Sequence, residues 1–276
     1  MTAAVAAAIQ DGTLPGRLWL YANYHCNLTC AYCLTESGPK VARRELGRER
    51  TLALAQEAAE LGFTALGLTG GEPFLLPYLP ELLAELAGIL PIVCLSNGTM
   101  FTRDRLDRLR PLAELPAAIQ ISLDRPEPND NDLMRGPENF RKVVDAIPKL
   151  VGLGVRVRIA TTVASISDGE RERLCDLHRR LGVADADHVI RPIIHRGRAV
   201  DNRLGVQVTP ADLPAELTIT ADGAFWSPFG PTVHGGRLDT DLLVTRTTTP
   251  LRVPAAALLR LVRDQPPGAD TQLNIR

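Results

Sequence analysis

Cys26, Cys30 and Cys33 crowd into eight residues at CxxxCxxC spacing, within Tyr24-His25-Cys26-Asn27-Leu28-Thr29-Cys30-Ala31-Tyr32-Cys33. Three thiolates on one short loop can wrap a single metal centre, and soft sulfur ligands favour zinc or an iron–sulfur cluster. A structural zinc site or a saturated cluster takes four ligands. No second CxxC occurs, and the other two of the five cysteines, Cys94 and Cys175, fall within a predicted strand and a predicted helix. A centre one protein ligand short keeps an open coordination position, which suits a metal that binds a substrate or cofactor. The competing reading is a zinc knuckle completed by His25 or by a distant residue.

Other polar segments carry chemistry of their own. In Thr69-Gly70-Gly71-Glu72-Pro73 the paired glycines let backbone approach a ligand closely, and Glu72 can pair with an ammonium. Ser96-Asn97-Gly98-Thr99, Ser122-Leu123-Asp124 and the Arg135 of Leu133-Met134-Arg135-Gly136 add hydroxyl, amide, carboxylate and guanidinium groups. Thr161 and Thr162 end a further apolar run. Plain turns and caps would use several of these residue types equally well.

The elements that must hold these groups alternate between short apolar runs and amphipathic ones. Strands are expected over 17–24, 64–68, 91–95, 117–123, 155–162 and 188–194. Helices are expected over 50–61, 79–87, 103–110, 139–151 (frayed or kinked at Pro148) and 169–181. About six βα units in series give an α/β fold with a parallel sheet and outer helices. The count falls short of a closed eight-unit barrel, so an open, partial (β/α)6 TIM-like barrel is expected over 17–200. Residues 1–16 form an N-terminal segment, and 201–276 a small α+β C-terminal extension with a linker at 200–214 and a helix at 255–263. The cysteine loop, the GGE turn, the NGT turn and the SLD turn all fall at C-terminal strand ends, the edge where parallel α/β sheets place their ligands.

Of the 276 residues 45% are hydrophobic, enough for a large core, and the net charge is −1. That balance disfavours a nucleic-acid partner, which phosphate contacts would match with a basic excess. The most apolar stretch, 74–95, is broken by Pro77, Pro80 and Pro91, so no membrane span is expected. The alanine-rich N-terminus lacks the basic residues of a signal peptide, which points to a cytoplasmic protein. In a reducing compartment a cysteine crowd suggests metal rather than disulfides.

The loop from Cys26 to Cys33, with Tyr32 before the last cysteine, resembles the signature of the radical S-adenosylmethionine superfamily. The resemblance extends to GGEP, NGT and SLD segments and covers about residues 17–200. It implies a [4Fe–4S] cluster on Cys26, Cys30 and Cys33, whose fourth iron chelates S-adenosylmethionine. Reduction would cleave that cofactor to a 5′-deoxyadenosyl radical, which abstracts hydrogen from a substrate. Contacts to the cofactor would come from Tyr32, Gly70, Gly71, Glu72 (to the amino group), Pro73, Asn97, Ser122, Asp124 and Arg135 (to the carboxylate). The implied partners are a small-molecule or peptide substrate and an electron donor such as flavodoxin or ferredoxin. The stop at Pro192, Gly197 and Arg198 is also similar to the family, and would turn His195, Arg196 and Arg198 toward substrate. Residues 217–243 resemble a twitch or SPASM extension from which every cysteine is missing, with Ser227-Pro228 where Cys-Pro would stand. The start of the barrel near Arg17, with no peptide-recognition domain ahead of it, weighs against a maturase of natural-product precursor peptides, which remains an alternative. A non-catalytic metal-binding protein retaining the fold is the other alternative, disfavoured by intact cofactor segments.

Overall fold

The computed structural model describes residues 2–264. Six strands, β1 (Arg17–Tyr21), β2 (Ala65–Thr69), β3 (Ile92–Ser96), β4 (Ala117–Ser122), β5 (Arg156–Val163) and β6 (His188–Pro192), run parallel in sequence order. Between them stand α2 (Arg48–Leu61), α3 (Leu79–Ala87), α4 (Arg103–Leu109), α5 (Pro128–Arg135), α6 (Asn139–Gly152) and α7 (Asp168–Arg180), with α1 (Thr2–Gln10) ahead of them and α8 (Arg198–Asp201) behind. The sheet does not close; it is the partial barrel expected from the repeat count.

Alternation along the strands sorts the residues into two layers. Leu18, Leu20, Leu66, Leu68, Ile119, Ile121, Val157 and Ile159 face the helices and pack with Leu54, Ala58, Leu82, Leu86, Val143, Ile147 and Leu150. The opposite face carries a small cluster of Trp19, Val93 and Ala118, with Leu95 against it. The helix-side layer is the core, and the concave face is left for a ligand.

Three features depart from the sequence expectations. The strands β7 (Thr218–Ile219), β8 (Ala224–Phe225) and β11 (Leu243–Thr245) join the main sheet, whose order is β11-β8-β7-β1-β2-β3-β4-β5-β6. β7 lies parallel to β1 with Trp19 opposite Thr218, so the C-terminal segment covers an edge of the barrel. A separate hairpin, β9 (Val233–His234) and β10 (Arg237–Leu238), stands outside it. Helix α6 continues through Pro148 to Gly152, and α5 forms where no element was expected. Its buried residues are Asn131 and Arg135, so it shows no apolar period. The final helix, α9 (Arg252–Asp264), packs against α1, which buries Val5, Ala8 and Ile9. Among the described residues no helix is long and apolar enough to cross a membrane.

Candidate active site

The cysteine loop leaves the C-terminal end of β1 and is tied down by segments distant in sequence. Ala31 N donates to Met134 O at 2.8 Å, and Asn202 Nδ2 donates to Ala31 O at 2.8 Å. Arg198 reaches Cys30 O with Nη1 at 2.7 Å and Ser37 O with Nη2 at 2.9 Å, while its backbone N–H donates to Cys33 O at 2.9 Å. Gly197 must be glycine: its φ is +57°, and a Cβ there would lie 2.3 Å from Leu34 O. The Gly197-Arg198 stop therefore clamps the loop and does not face substrate as the sequence suggested. Arg196 pairs instead with Asp239 and Asp241 at 3.2 and 2.6 Å, and His195 Nδ1 lies 2.8 Å from Leu204 O.

The thiols stand among groups that suit a thiolate-bound centre. Cys26 Sγ receives Leu28 N at 3.4 Å and Asn97 Nδ2 at 3.6 Å. Such donors stabilise sulfur ligands. Burial, followed by the charge of Glu72, pushes the free Cys26 thiol up to about 12, and burial raises Cys30 as well. Binding a metal must therefore displace protons from buried thiols. Cys94 belongs to the helix-side core, and Cys175 Sγ lies 3.9 Å from His188 Nδ1 beneath α7, so neither joins the loop.

The glycine pair lets the end of β2 abut this loop. A Cβ on Gly71 would sit 2.2 Å from His25 O, and one on Gly70 would sit 2.4 Å from Asn23 Oδ1. The two backbones exchange bonds there, from Gly71 N to Asn23 O at 2.8 Å and from Glu72 N to His25 O at 3.0 Å. Glu72 does not present its carboxylate to the cavity as expected. It is fully covered, with Oε1 accepting from Phe74 N at 2.9 Å and Ser96 Oγ at 3.0 Å, and Oε2 from Asn97 N at 2.7 Å. Three donors on two loops claim it first, so it fixes the NGT turn to the GGE turn. Pro73 is buried at the start of a short 3-10 turn, Pro73–Leu75, and is not in the cavity wall.

A second network ties α5 to β4. Arg135 is 5% exposed, and its Nη1 lies 3.2 Å from Asp124 Oδ2. The Tyr32 hydroxyl donates to the same carboxylate and accepts from Arg135. Asp124 Oδ1 accepts from Thr162 N at 2.9 Å, so this carboxylate is wholly occupied with protein donors. Asn131 Oδ1 accepts from Asp124 N at 3.0 Å, Asn131 Nδ2 donates to Asn139 Oδ1 at 2.9 Å, and Asn139 Nδ2 donates to Asn97 O at 3.2 Å. A buried amide chain thus links the SLD and NGT turns. Asn131 and Asn139 were invisible to the sequence reading, because no motif marks them.

These groups surround one cavity. Its wall includes Cys26, Cys30, Cys33, Tyr32, Gly70, Gly71, Asn97, Ser122 and Arg135 from the expected set. Glu72, Pro73 and Asp124 stand behind it. Thr162 lines it, whereas Thr161 turns away to donate to Leu123 O at 2.7 Å. Arg135 Nε is buried without a hydrogen-bond partner. Such an orphaned donor calls for an acceptor from a ligand. Arg191, Pro192, Ile194, Pro228 and Phe229 complete the mouth. Beyond them, Val233 N donates to Leu34 O at 2.9 Å, and Glu36 accepts from Gly235 N at 2.9 Å and Gly236 N at 3.1 Å. The segment with Ser227-Pro228 and the β9–β10 hairpin is thereby stitched to the cysteine loop.

The comparisons agree with this arrangement. A family profile described as "Radical SAM superfamily" matches residues 21–178. The chain is 30% identical over 210 residues to the AdoMet-dependent heme synthase of Oleidesulfovibrio alaskensis, covering 74% of this chain and 52% of that protein. It is 30% identical over 155 residues to the sporulation killing factor maturation protein SkfB of Bacillus subtilis, covering 55% and 37%. The chain spans about half of the first relative and less of the second. Among solved structures, Streptococcus suis SuiB bound to S-adenosylmethionine superposes with a TM-score of 0.60 at 16% identity, over 75% of this chain and 47% of that one.

Proposed function

The chain belongs to the radical SAM superfamily, and on that premise we propose that it reductively cleaves S-adenosylmethionine at a [4Fe–4S] cluster and uses the resulting radical to take hydrogen from a small-molecule or peptide substrate. One observation carries the reading: three thiols, a bare glycine strip and the Arg135 side chain, whose Nε has no hydrogen-bond partner, line the same cavity. Three soft ligands in one loop match the donor set of a site-differentiated cluster.

When bound, the cluster supplies an electron and an open iron. Cys26, Cys30 and Cys33 hold it, and the N–H groups of Leu28 and Asn97 offset the charge on Cys26. The backbone of Thr69, Gly70 and Gly71, free of side chains at its two glycines, receives the amino group of S-adenosylmethionine. Arg135 Nε takes the carboxylate, with Tyr32 and Asp124 holding the guanidinium in place. Ser122 and Thr162 offer hydroxyls to the nucleoside. Glu72 is a positioning residue for this strip. Phe229, Pro228, Ile194 and Leu34 exclude water from the mouth, which protects a radical from side reactions. An electron donor such as flavodoxin or ferredoxin would reduce the cluster.

The test is anaerobic reconstitution, iron analysis and an assay for 5′-deoxyadenosine with dithionite as reductant. About four irons per chain and formation of 5′-deoxyadenosine are expected. Zinc at full occupancy, with no iron taken up, overturns the reading.

A further inference from the structure

Two arginines, Arg135 and Arg191, line the cavity, and two more, Arg196 and Arg198, follow β6; three of the four are engaged. Arg135 is paired with Asp124 at 3.2 Å. Arg196 is paired with Asp239 and Asp241. Arg198 is spent on the carbonyls of Cys30 and Ser37. The fourth, Arg191, sits in β6 with its side chain in the cavity wall. Its Nε donates to Thr162 Oγ1 at 3.1 Å, which leaves both terminal nitrogens without a partner among the described residues. It makes no ion pair among the described residues. Burial lowers its affinity for its proton; Tyr32 and Asp124 nearby act against that shift, and the charge of Arg135 acts with it. A guanidinium stays charged even so, and a largely desolvated one without a counter-charge is costly. Asp124 is already committed to Arg135 and Thr162 and gives Arg191 no direct ion pair.

The surroundings of Arg191 narrow what would balance it. Trp19, Leu95, Ile194 and Phe229 line the same cavity and are apolar. The fixed Nε bond orients the terminal nitrogens as a fork, the geometry that binds a carboxylate or phosphate through two bonds. We propose that Arg191 anchors an oxyanion of the substrate, a carboxylate or a phosphate carried on an apolar body, and so orients the carbon to be attacked. This rests on the radical reading of the site and adds the chemical class of its substrate.

The test uses the full chain, reconstituted and saturated with S-adenosylmethionine. Benzoate, phenyl phosphate and the neutral benzyl alcohol serve as probes, with binding measured by calorimetry. Benzoate or phenyl phosphate should bind at least tenfold more tightly than benzyl alcohol, and the tighter of the two acids identifies the oxyanion. Arg191→Gln should weaken the acid at least tenfold, and Arg191→Lys should recover part of the loss. Both variants should keep the iron content, thermal midpoint and S-adenosylmethionine affinity of the parent. Equal binding of acid and alcohol, or acid binding unchanged in Arg191→Gln, overturns the proposal. A tenfold loss of S-adenosylmethionine affinity in Arg191→Gln also overturns it, because Arg191 would then serve the cofactor. A parent protein that binds neither iron nor S-adenosylmethionine instead brings down the radical reading itself, so the two failures are distinguishable.

Discussion

Glu72 sets two carboxylate oxygens against three donors, Phe74 N, Ser96 Oγ and Asn97 N. In Glu72→Gln the amide NH2 must face at least one of those donors. A buried clash of this kind costs about 1–3 kcal/mol. The thermal midpoint should therefore fall by several degrees, and S-adenosylmethionine affinity should fall with it while iron content holds. Loss of affinity with an unchanged midpoint would mean that the carboxylate meets the ligand directly. The cysteines divide more sharply. Cys26→Ala, Cys30→Ala and Cys33→Ala should each abolish iron uptake, whereas Cys94→Ala and Cys175→Ala should leave it intact, read from iron content and the visible spectrum. Sequence located the cysteines because three soft ligands at fixed spacing have few other uses. It misassigned Glu72 because a carboxylate after two glycines reads alike whether it points outward or back into the fold.

The βα units were legible because strand and helix periods differ and glycine or proline punctuates most of them. Helix α5 was not legible: its sequence, PNDNDLMR, buries Asn131 and Arg135 in place of an apolar stripe. The pairing of β7 with β1 was also hidden, since two residues of strand carry no period. Helix α7 and strand β6 give a prediction in pH. His178 is buried on α7, its ring 4.3 Å from that of His188 on β6. Burial lowers His178 to about 3 and His188 to about 4, so the fold holds both neutral. An unfolded histidine titrates near 6.5, so the unfolded chain binds more protons below that pH. Stability is full above about pH 6.5 and is lost as pH falls through the folded values. For His178 the loss at pH 5.5 is roughly 1 kcal/mol. Urea midpoints at pH 7.5 and 5.5 should differ, and His178→Leu should shrink the difference. The clamp of α8 gives another prediction. Gly197→Ala places a Cβ against Leu34 O at a positive φ, so the loop must shift. A bound cluster should then be lost to a chelator several times faster than in the parent.

At the scale of the molecule, β1 lies inside the nine-stranded sheet only because a segment two hundred residues later pairs with it. Trp19 Nε1 donates to Glu216 Oε2 at 2.5 Å, which pins that pairing from beneath the cavity. A chain ending at residue 213 would expose β1 as an edge strand, and should aggregate more on expression than the full chain does. The time course of synthesis is also written into this topology. The last of the bonds that fasten the cysteine loop come from Arg198, Asn202 and Val233. At roughly 5–20 residues per second, a ribosome takes on the order of tens of seconds to travel from Cys33 to Val233. For that interval the thiols stand in an open loop, reachable by an iron donor and by oxygen alike. Once the hairpin docks, the loop is fastened with Cys26 buried and Cys30 and Cys33 half-buried in the cavity wall, so a cluster must enter by the cavity mouth or by a local opening. Folded apoprotein should accordingly take up its cluster slowly, and urea well below the unfolding midpoint should speed the uptake.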